Sequence, residues 1–263
     1  MKLNWAVIVC FGVLSAVPSS QLPAAVDLKL VIAVDVSYSM DIEEQRVQRE
    51  GYVAAFRSPE IVRALSSGPL GKVAVTYVEW GGFAIQVVPW MIIDGQVTAA
   101  RFAEELRRQP PRRISFTSIS NALAFARELI DSSRVRSSRR VVDVSGDGPN
   151  NAGAPVPVAR NAAIADAITV DGLPIMLNAA TDPDALPDLD DYYAACVIGG
   201  EGAFLLKVTD VSHFEDAIRN KLVVEITGVR LSDYKGPPAE TVQYLKPYNC
   251  LIGEEAQERG IGK

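Results

Sequence analysis

Three clusters of oxygen-bearing side chains could together hold a divalent cation. The first is the motif Asp-x-Ser-x-Ser formed by Asp35, Ser37 and Ser39; the second is Thr117 and the third is Asp147. Two carboxylates and three hydroxyls offer only oxygen ligands, which a hard divalent cation prefers at near-octahedral geometry. Alternate spacing in an extended loop points the side chains of the motif the same way, so they can converge on one ion. The sequence therefore predicts a site for Mg²⁺, or for Mn²⁺ or Ca²⁺.

Each cluster lies next to a predicted strand or helix. Asp35 ends the apolar run at 28–34, and Asp147 follows the strand-like run at 139–144. Thr117 comes just before a helix whose apolar residues recur at helical spacing. In an open α/β sheet, ligands bind beyond the carboxyl ends of the strands, where the sheet order reverses. We therefore expect the three clusters to meet at that edge of the sheet.

The fold that must position these clusters is predicted by alternating strand and helix patterns. Apolar runs alternate with helical patterns from residue 28 onward, which is typical of a doubly wound, Rossmann-like α/β sheet with helices on both faces. Gly81-Gly82 predicts a hairpin, which adds one antiparallel edge strand to a mostly parallel sheet. Other helices are expected at 42–57, 97–108, 159–168, 188–195 and 214–222, and other strands at 173–179 and 204–208.

The chain divides into three predicted segments. Residues 1–25 have the order of a cleaved signal peptide: a basic start at Lys2, an apolar centre and a small-residue cleavage region. The apolar centre is shorter than the roughly 20 residues that a membrane span needs, which favours a cleaved signal over the alternative, an uncleaved anchor. After cleavage, the mature chain is expected to have no membrane span. Residues 26–227 form the α/β domain and residues 228–263 a C-terminal extension. The predicted location is the periplasm or the extracellular space.

Composition excludes some classes of function. With 26 Lys and Arg against 32 Asp and Glu, the chain has a formal charge of −6 and lacks the basic excess that nucleic-acid binding requires. One histidine, His213, argues against a triad or a histidine-rich metal site. Cys196 and Cys250 are the cysteines left after signal cleavage, so a disulfide between them is predicted in an oxidising compartment. It would tie the extension to the domain and stabilise the fold by roughly 4 kcal/mol on the chain-entropy model.

The ligand set resembles the metal-ion-dependent adhesion site of von Willebrand factor type A (vWA) domains. The resemblance rests on the order Asp35-x-Ser37-x-Ser39, then Thr117 five residues before Ala122, then Asp147 between two glycines. It covers about residues 28–226. The motif Val-Ser-Gly-Asp-Gly-Pro-Asn-Asn at 144–151 further resembles a branch of exported bacterial domains of unknown function within that superfamily.

The resemblance implies a binding module and not an enzyme. Such a module binds Mg²⁺ or another divalent ion and, through the ion, an acidic residue of a protein ligand. The ligand count agrees, because neutral hydroxyls leave an octahedral ion with an open position and residual positive charge. A carboxylate from an Asp or Glu of the partner is the natural sixth ligand.

Two alternatives stay open. The segment 146–150 is similar to the metal loop of haloacid-dehalogenase-like phosphatases, in which Asp35 would be the nucleophile. Ser37 stands where that family has a second Asp, and no lysine lies between Thr117 and Asp147, which disfavours phosphatase chemistry. The other alternative is a metal-free scaffold that retains only the fold.

The strand before Asp147 departs from the usual vWA pattern. Asp143 interrupts it where an apolar residue is usual, and Ser145-Gly146 stand where Leu-Thr is common. A buried carboxylate without a partner costs several kcal/mol or shifts its pKa upward. We therefore expect Asp143 to have a cationic partner, with Arg139 or Arg140 as the candidates.

Overall fold

A mostly parallel sheet forms the centre of the molecule. The computed structural model describes residues 24–177, 185–229 and 247–260. In this part of the chain a five-stranded sheet has the order β3-β2-β1-β4-β5, and only the β2–β3 pair is antiparallel. The predicted α/β sheet with one antiparallel edge strand is confirmed. The strands are β1 (Ala25–Asp35), β2 (Val73–Trp80), β3 (Ala84–Ile93), β4 (Arg136–Gly146) and β5 (Thr169–Pro174).

Helices cover both faces of the sheet. A π-helical turn (Tyr193–Val197) follows α6, and a 3₁₀ turn (Val211–His213) precedes α7. No helix in the described ranges is long and apolar enough to cross a bilayer. The helices are α1 (Ile42–Arg57), α2 (Pro59–Leu65), α3 (Gln96–Arg107), α4 (Ile119–Ser132), α5 (Val156–Ala165), α6 (Leu189–Tyr192), α7 (Phe214–Thr227) and α8 (Ile252–Glu258).

The central strand β1 is buried on both sides, because successive side chains point to opposite faces of the sheet. Leu30 and Ile32 pack into the core beneath α1, α3 and α7, whereas Val31 and Ala33 pack into the core beneath α4 and α5. From β1 the chain proceeds to β2 and β3 on one side and then crosses to β4 on the other. The sheet order therefore reverses between β1 and β4, and Asp35 lies at the carboxyl end of β1 at this point.

Two predicted strands differ from the structure. Residues 178 and 179 of the strand expected at 173–179 lie outside the described part of the chain. Over the described residues, that strand is wrong in position, because β5 is Thr169–Pro174. Its polar Asp171 and its Gly172 break the apolar run by which a buried strand is recognised. The strand expected at 204–208 is also wrong, since Leu205 and Val208 form only isolated bridges to β5 and Ile175.

The predicted C-terminal extension is described for residues 228–229 and 247–260. The structure joins Cys250 of this extension to Cys196 of the π-helical turn in a disulfide, with the two Cα atoms 5.6 Å apart. Tyr248, Cys250 and Ile252 pack against the core beneath α4 and α5. The predicted signal segment lies outside the described residues, except for its last two.

Candidate metal centre

Four of the five predicted ligands form one hydrogen-bonded cluster. After β1 the chain turns so that the Ser37 amide donates to Asp35 Oδ1 at 2.7 Å. The Ser37 and Ser39 hydroxyls are 2.8 Å apart, and Ser39 Oγ donates to Asp147 Oδ1 at 2.7 Å. The turn after β1 and the loop after β4 thus bring two carboxylates and two hydroxyls together. Asp41, two residues further on, caps α1 and completes a capping box with Glu44.

Gly146 permits the close approach of the two carboxylates. β1 and β4 pair in parallel with Val34 beside Ser145, so Asp147 follows β4 just beyond the end of β1. A Cβ atom at position 146 would lie only 2.7 Å from Asp35 Oδ2. Any larger residue would therefore push Asp35 out of the cluster. This contact explains why a glycine precedes Asp147.

The fifth predicted ligand, Thr117, is held by the loop after Asp147. Ser118, and not Thr117, is the N-cap of α4. The Thr117 amide donates to Asn151 Oδ1 at 2.8 Å, and the Asn151 amide donates to the Thr117 carbonyl at 2.8 Å. This reciprocal pair connects the entry to α4 with the segment that carries Asp147. Thr117 is 5% exposed.

Asn150, which sequence reasoning did not assign a role, organises the same loop. Its side chain is fully buried; Oδ1 accepts from the Ser120 amide at 3.1 Å, and Nδ2 donates to Glu254 Oε1 at 2.8 Å. The backbone N–H of Asn150 donates to the Tyr192 hydroxyl at 3.1 Å. The signal that could have found it is the pair of asparagines after Gly-Pro, because Asn side chains commonly bond the backbone in loops.

Asp35 is a buried carboxylate without a cation. Burial raises its pKa well above the ordinary value, and the nearby charge of Asp147 raises it further, while hydrogen bonds from Ser37 and the Asp147 backbone offset part of the shift. Its Oδ2 atom has no hydrogen-bond partner. No Lys, Arg or His in the described ranges forms an ion pair with it. An orphaned buried oxygen beside a second carboxylate and two hydroxyls is the environment in which a divalent cation fits.

The structure offers no second kind of metal site in its described residues: no group of three or more His, Cys, Asp or Glu side chains there could hold a metal ion.

Tyr193, a residue that the sequence did not single out, also faces the site around Asp35. Its hydroxyl is buried without a partner and would lie 3.0 Å from a Cβ at Gly146. Burial raises the pKa of Tyr193, and the neighbouring Asp35 raises it further, so the phenol stays neutral.

The cationic partner of Asp143 is a lysine of α7. Lys221 Nζ lies 2.7 Å from Asp143 Oδ1 and also pairs with Glu225. The prediction of Arg139 or Arg140 is therefore wrong: Arg139 donates to the carbonyls of α7, and Arg140 donates to the Asp166 carbonyl. Four residues along a strand span about 13 Å, which is too far for Arg139 to reach Asp143 readily.

Comparison with known families assigns the chain. The family model described as "Protein of unknown function (DUF1194)" matches residues 25–230. The chain belongs to the DUF1194 family. A search of curated proteins gives no match for this DUF1194 chain.

Solved structures similar to the DUF1194 chain are vWA domains. Proximal thread matrix protein 1 of the mussel byssus, in a structure with a zinc-occupied MIDAS (metal-ion-dependent adhesion site) motif, matches with 15% identity, a TM-score of 0.55 and coverage of 78% of this chain and 48% of that one. A von Willebrand factor type A protein from Catenulispora acidiphila matches with 18% identity, a TM-score of 0.53 and coverage of 76% and 43%. The chain thus spans about half the length of these relatives.

A third similar structure is a single domain of comparable size. The vWF domain of the type V pili tip protein Mfa5 from Porphyromonas gingivalis matches with 12% identity, a TM-score of 0.53 and coverage of 83% of this chain and 99% of that one. At these identities the likeness establishes the fold. The DUF1194 chain has the vWA fold that its sequence resembles.

Proposed function

We propose that this DUF1194 protein is an exported, non-enzymatic binding module that captures a protein ligand through a divalent cation. The cation, Mg²⁺ or alternatively Mn²⁺ or Ca²⁺, would be held by Asp35, Ser37, Ser39, Thr117 and Asp147. The observation that carries this proposal is the buried Asp35 carboxylate, whose Oδ2 has no partner and whose neighbours are oxygen ligands. The zinc-occupied MIDAS motif of a structural neighbour supports metal binding on this fold.

Each ligand would have a distinct part. The hydroxyls of Ser37, Ser39 and Thr117 would supply neutral oxygens. Asp35 and Asp147, which would not both contact the ion at once, would offset only part of its charge. One carboxylate and three hydroxyls in direct contact leave an octahedral ion with room for a further ligand. A partner's Asp or Glu carboxylate is the ligand that best satisfies both the open position and the remaining charge. The bound ion would attract the partner's carboxylate electrostatically. The chain's own residues would hold the ion with its open position toward the surface.

The surface beside the site supports a protein as the partner. Tyr38 lies between two predicted ligands and is 54% exposed, while Phe116 precedes Thr117 and is 49% exposed. The Arg113 guanidinium lies 4.9 Å from the centre of the Tyr38 ring. Phe83, 57% exposed, follows Gly82, where a Cβ would lie 3.4 Å from Phe116. Exposed aromatic rings and an arginine are enriched at protein interfaces, so these residues fit a partner whose acidic residue has apolar neighbours.

Calorimetry with each cation tests the metal site. We expect wild-type protein to bind Mg²⁺, Mn²⁺ or Ca²⁺ at one site and Asp35→Ala to show no binding with an unchanged circular dichroism spectrum. Asp131→Ala is the matched control, because it removes the same group from an exposed position on α4. Equal affinities in wild type and Asp35→Ala would overturn the proposed site.

Affinity capture from the native cell envelope tests the partner. Immobilised wild-type protein should retain a protein in the presence of Mg²⁺, and both a chelator and Asp35→Ala should abolish retention. Neutralising one specific acidic residue of the captured protein should have the same effect. Retention of identical proteins with and without chelator would mean that the module binds through another face.

A further inference from the structure

A disulfide-tethered segment of the C-terminal extension lies against the loop that carries Asp147. We name residues 247–258 the C-terminal clasp. Cys250 bonds to Cys196, and the ring of Tyr248 lies 5.9 Å from that of Tyr192 in an edge-on arrangement. The clasp ends in α8, which has only seven residues. A helix this short is not stable alone in water, so its position depends on these contacts with the domain.

The clasp contacts the loop mainly through Asn150. Glu254 Oε1 accepts from Asn150 Nδ2 at 2.8 Å. Gly253 packs directly on the loop: a Cβ at this position would lie 2.1 Å from the Asn150 carbonyl oxygen and 3.1 Å from the Pro149 ring. The close contact requires a glycine at position 253. Glu254 supplies the shortest hydrogen bond to Asn150 Nδ2, and this nitrogen also donates to the Ala152 and Ala154 carbonyls at 3.0 and 3.3 Å.

Asn150 in turn connects two of the predicted metal ligands. It lies three residues after Asp147, and its Oδ1 accepts from the Ser120 amide in the first turn of α4. The adjacent Asn151 makes the reciprocal pair of hydrogen bonds with Thr117. A shift of Asn150 would therefore move Asp147 and Thr117 relative to each other.

We propose that the C-terminal clasp positions the metal site, with Gly253 and Glu254 acting through Asn150, and that the disulfide to Cys196 makes cation affinity depend on redox state. This inference rests on the proposed function. A dithiol reductant would open the bond by thiol–disulfide exchange, passing two electrons and two protons to Cys196 and Cys250 while it is oxidised to its own disulfide. The freed clasp would then leave Asn150 without its Glu254 acceptor.

Truncation of Glu254 is the primary test. Glu254→Ala should weaken Mg²⁺ binding in calorimetry by roughly tenfold, the low end of what loss of a supporting hydrogen bond costs a metal site. Glu258→Ala removes the same charge from the exposed end of α8 and should leave the affinity unchanged. Glu254→Gln keeps an acceptor oxygen for Asn150 and should restore most of the affinity. Equal affinities for wild type and Glu254→Ala would overturn the inference.

Two further variants separate positioning from general stability. Gly253→Ala should also weaken Mg²⁺ binding, whereas Gly95→Ala, where a Cβ meets no atom within 4 Å, should not. The double variant Cys196→Ser/Cys250→Ser should lose at least as much Mg²⁺ affinity as Glu254→Ala. Wild-type protein in dithiothreitol should lose a similar amount. A double variant that is folded and binds Mg²⁺ with wild-type affinity would contradict the redox dependence.

Hydrogen exchange keeps the test separate from the proposed function. In metal-free protein, Glu254→Ala should expose the amides of Thr117 and Ser120 to faster exchange, and Glu258→Ala should not. If wild type binds no cation but these amides respond as expected, the proposed function fails and the clasp still positions the loop. If wild type binds Mg²⁺ but neither affinity nor exchange responds, the clasp inference alone is overturned.

Discussion

Two buried aspartates in neighbouring strands are treated in opposite ways. Asp143, in the middle of β4, lies 2.7 Å from the ammonium group of Lys221 and accepts a hydrogen bond from the Tyr52 hydroxyl at 3.3 Å. Asp35, at the end of β1, has an oxygen without any partner and a second carboxylate beside it. The first is neutralised by the protein's own cation. Within the described residues, the second has no cation of the protein beside it, and under the proposed function its cation would come from outside.

The surroundings of Asp143 form a closed ionic network. Burial alone lowers the pKa of Lys221, but Asp143, Glu225 and Asp171 outweigh burial, so the pKa is raised and the amine stays charged. Burial raises the pKa of Glu225, and Asp143 raises it further, while Lys221 offsets part of the shift. Because Lys221 belongs to α7, this network fastens α7 to the sheet.

Removal of the internal cation should have the largest effect on stability. Lys221→Met leaves two buried acids without a cation, and loss of one partner of a buried pair costs about 3–5 kcal/mol. Lys207→Met is the matched control, because Lys207 pairs with Asp190 at the surface, where such pairs contribute about 0–1 kcal/mol. Urea unfolding of both variants measures the difference. Equal losses of unfolding free energy in the two variants would show that the ionic network around Asp143 does not stabilise the fold.

Neutralising Asp35 should have the opposite sign. In metal-free protein, Asp35→Asn removes a buried charge that faces Asp147, while the amide oxygen can still accept from Ser37, so stability should rise by on the order of 1 kcal/mol. Mg²⁺ at a hundredfold its Kd should stabilise wild type by about 2.7 kcal/mol and leave the variant unchanged. Thermal unfolding with and without Mg²⁺ measures both effects. If Asp35→Asn is less stable than wild type without Mg²⁺, the Asp35 carboxylate stabilises the fold instead of forming a metal site.

The smallest expected effect concerns Asp171, which borders the network. Burial raises its pKa from 3.8 to about 7, with Lys221 and the Phe204 amide offsetting part of the shift. A raised carboxyl pKa contributes stability that is full below pH 4 and is lost as the pH rises through 7. Asp171→Asn should therefore gain stability relative to wild type between pH 4 and pH 8, the range over which wild type loses this contribution. Urea unfolding at both pH values measures this, and a pH-independent difference would contradict it.

The part of the account that sequence could predict is the part encoded locally. The continuous apolar run of β1 and the glycine pair after β2 predicted a central parallel strand and the antiparallel edge. The motif after β1 and the aspartate after β4 predicted side chains that the structure brings together, because parallel strands place their carboxyl ends at one edge.

Contacts between distant segments could not be predicted in the same way. A carboxylate in a buried strand predicted that Asp143 has a cationic partner. No residue near Asp143 in the sequence indicated that this partner is Lys221 on α7. Asn150 and Glu254 are 104 positions apart, and their hydrogen bond depends on where the disulfide places α8. β5 was misplaced because Asp171 is buried in it, with an oxygen bonded to the Phe204 amide. Each of these contacts joins segments that are distant in sequence, so the partner is known only once the packing of the core is known.

Anomalous scattering from a crystal grown with Mn²⁺ tests the central claim most directly. The account predicts a single strong peak between Asp35, Ser37, Ser39, Thr117 and Asp147, with ligand oxygens at about 2.0–2.6 Å. It also predicts that the peak is absent from Asp35→Ala crystals grown in the same way. A peak at other surface carboxylates, or none while Ser39 still donates to Asp147, would contradict it.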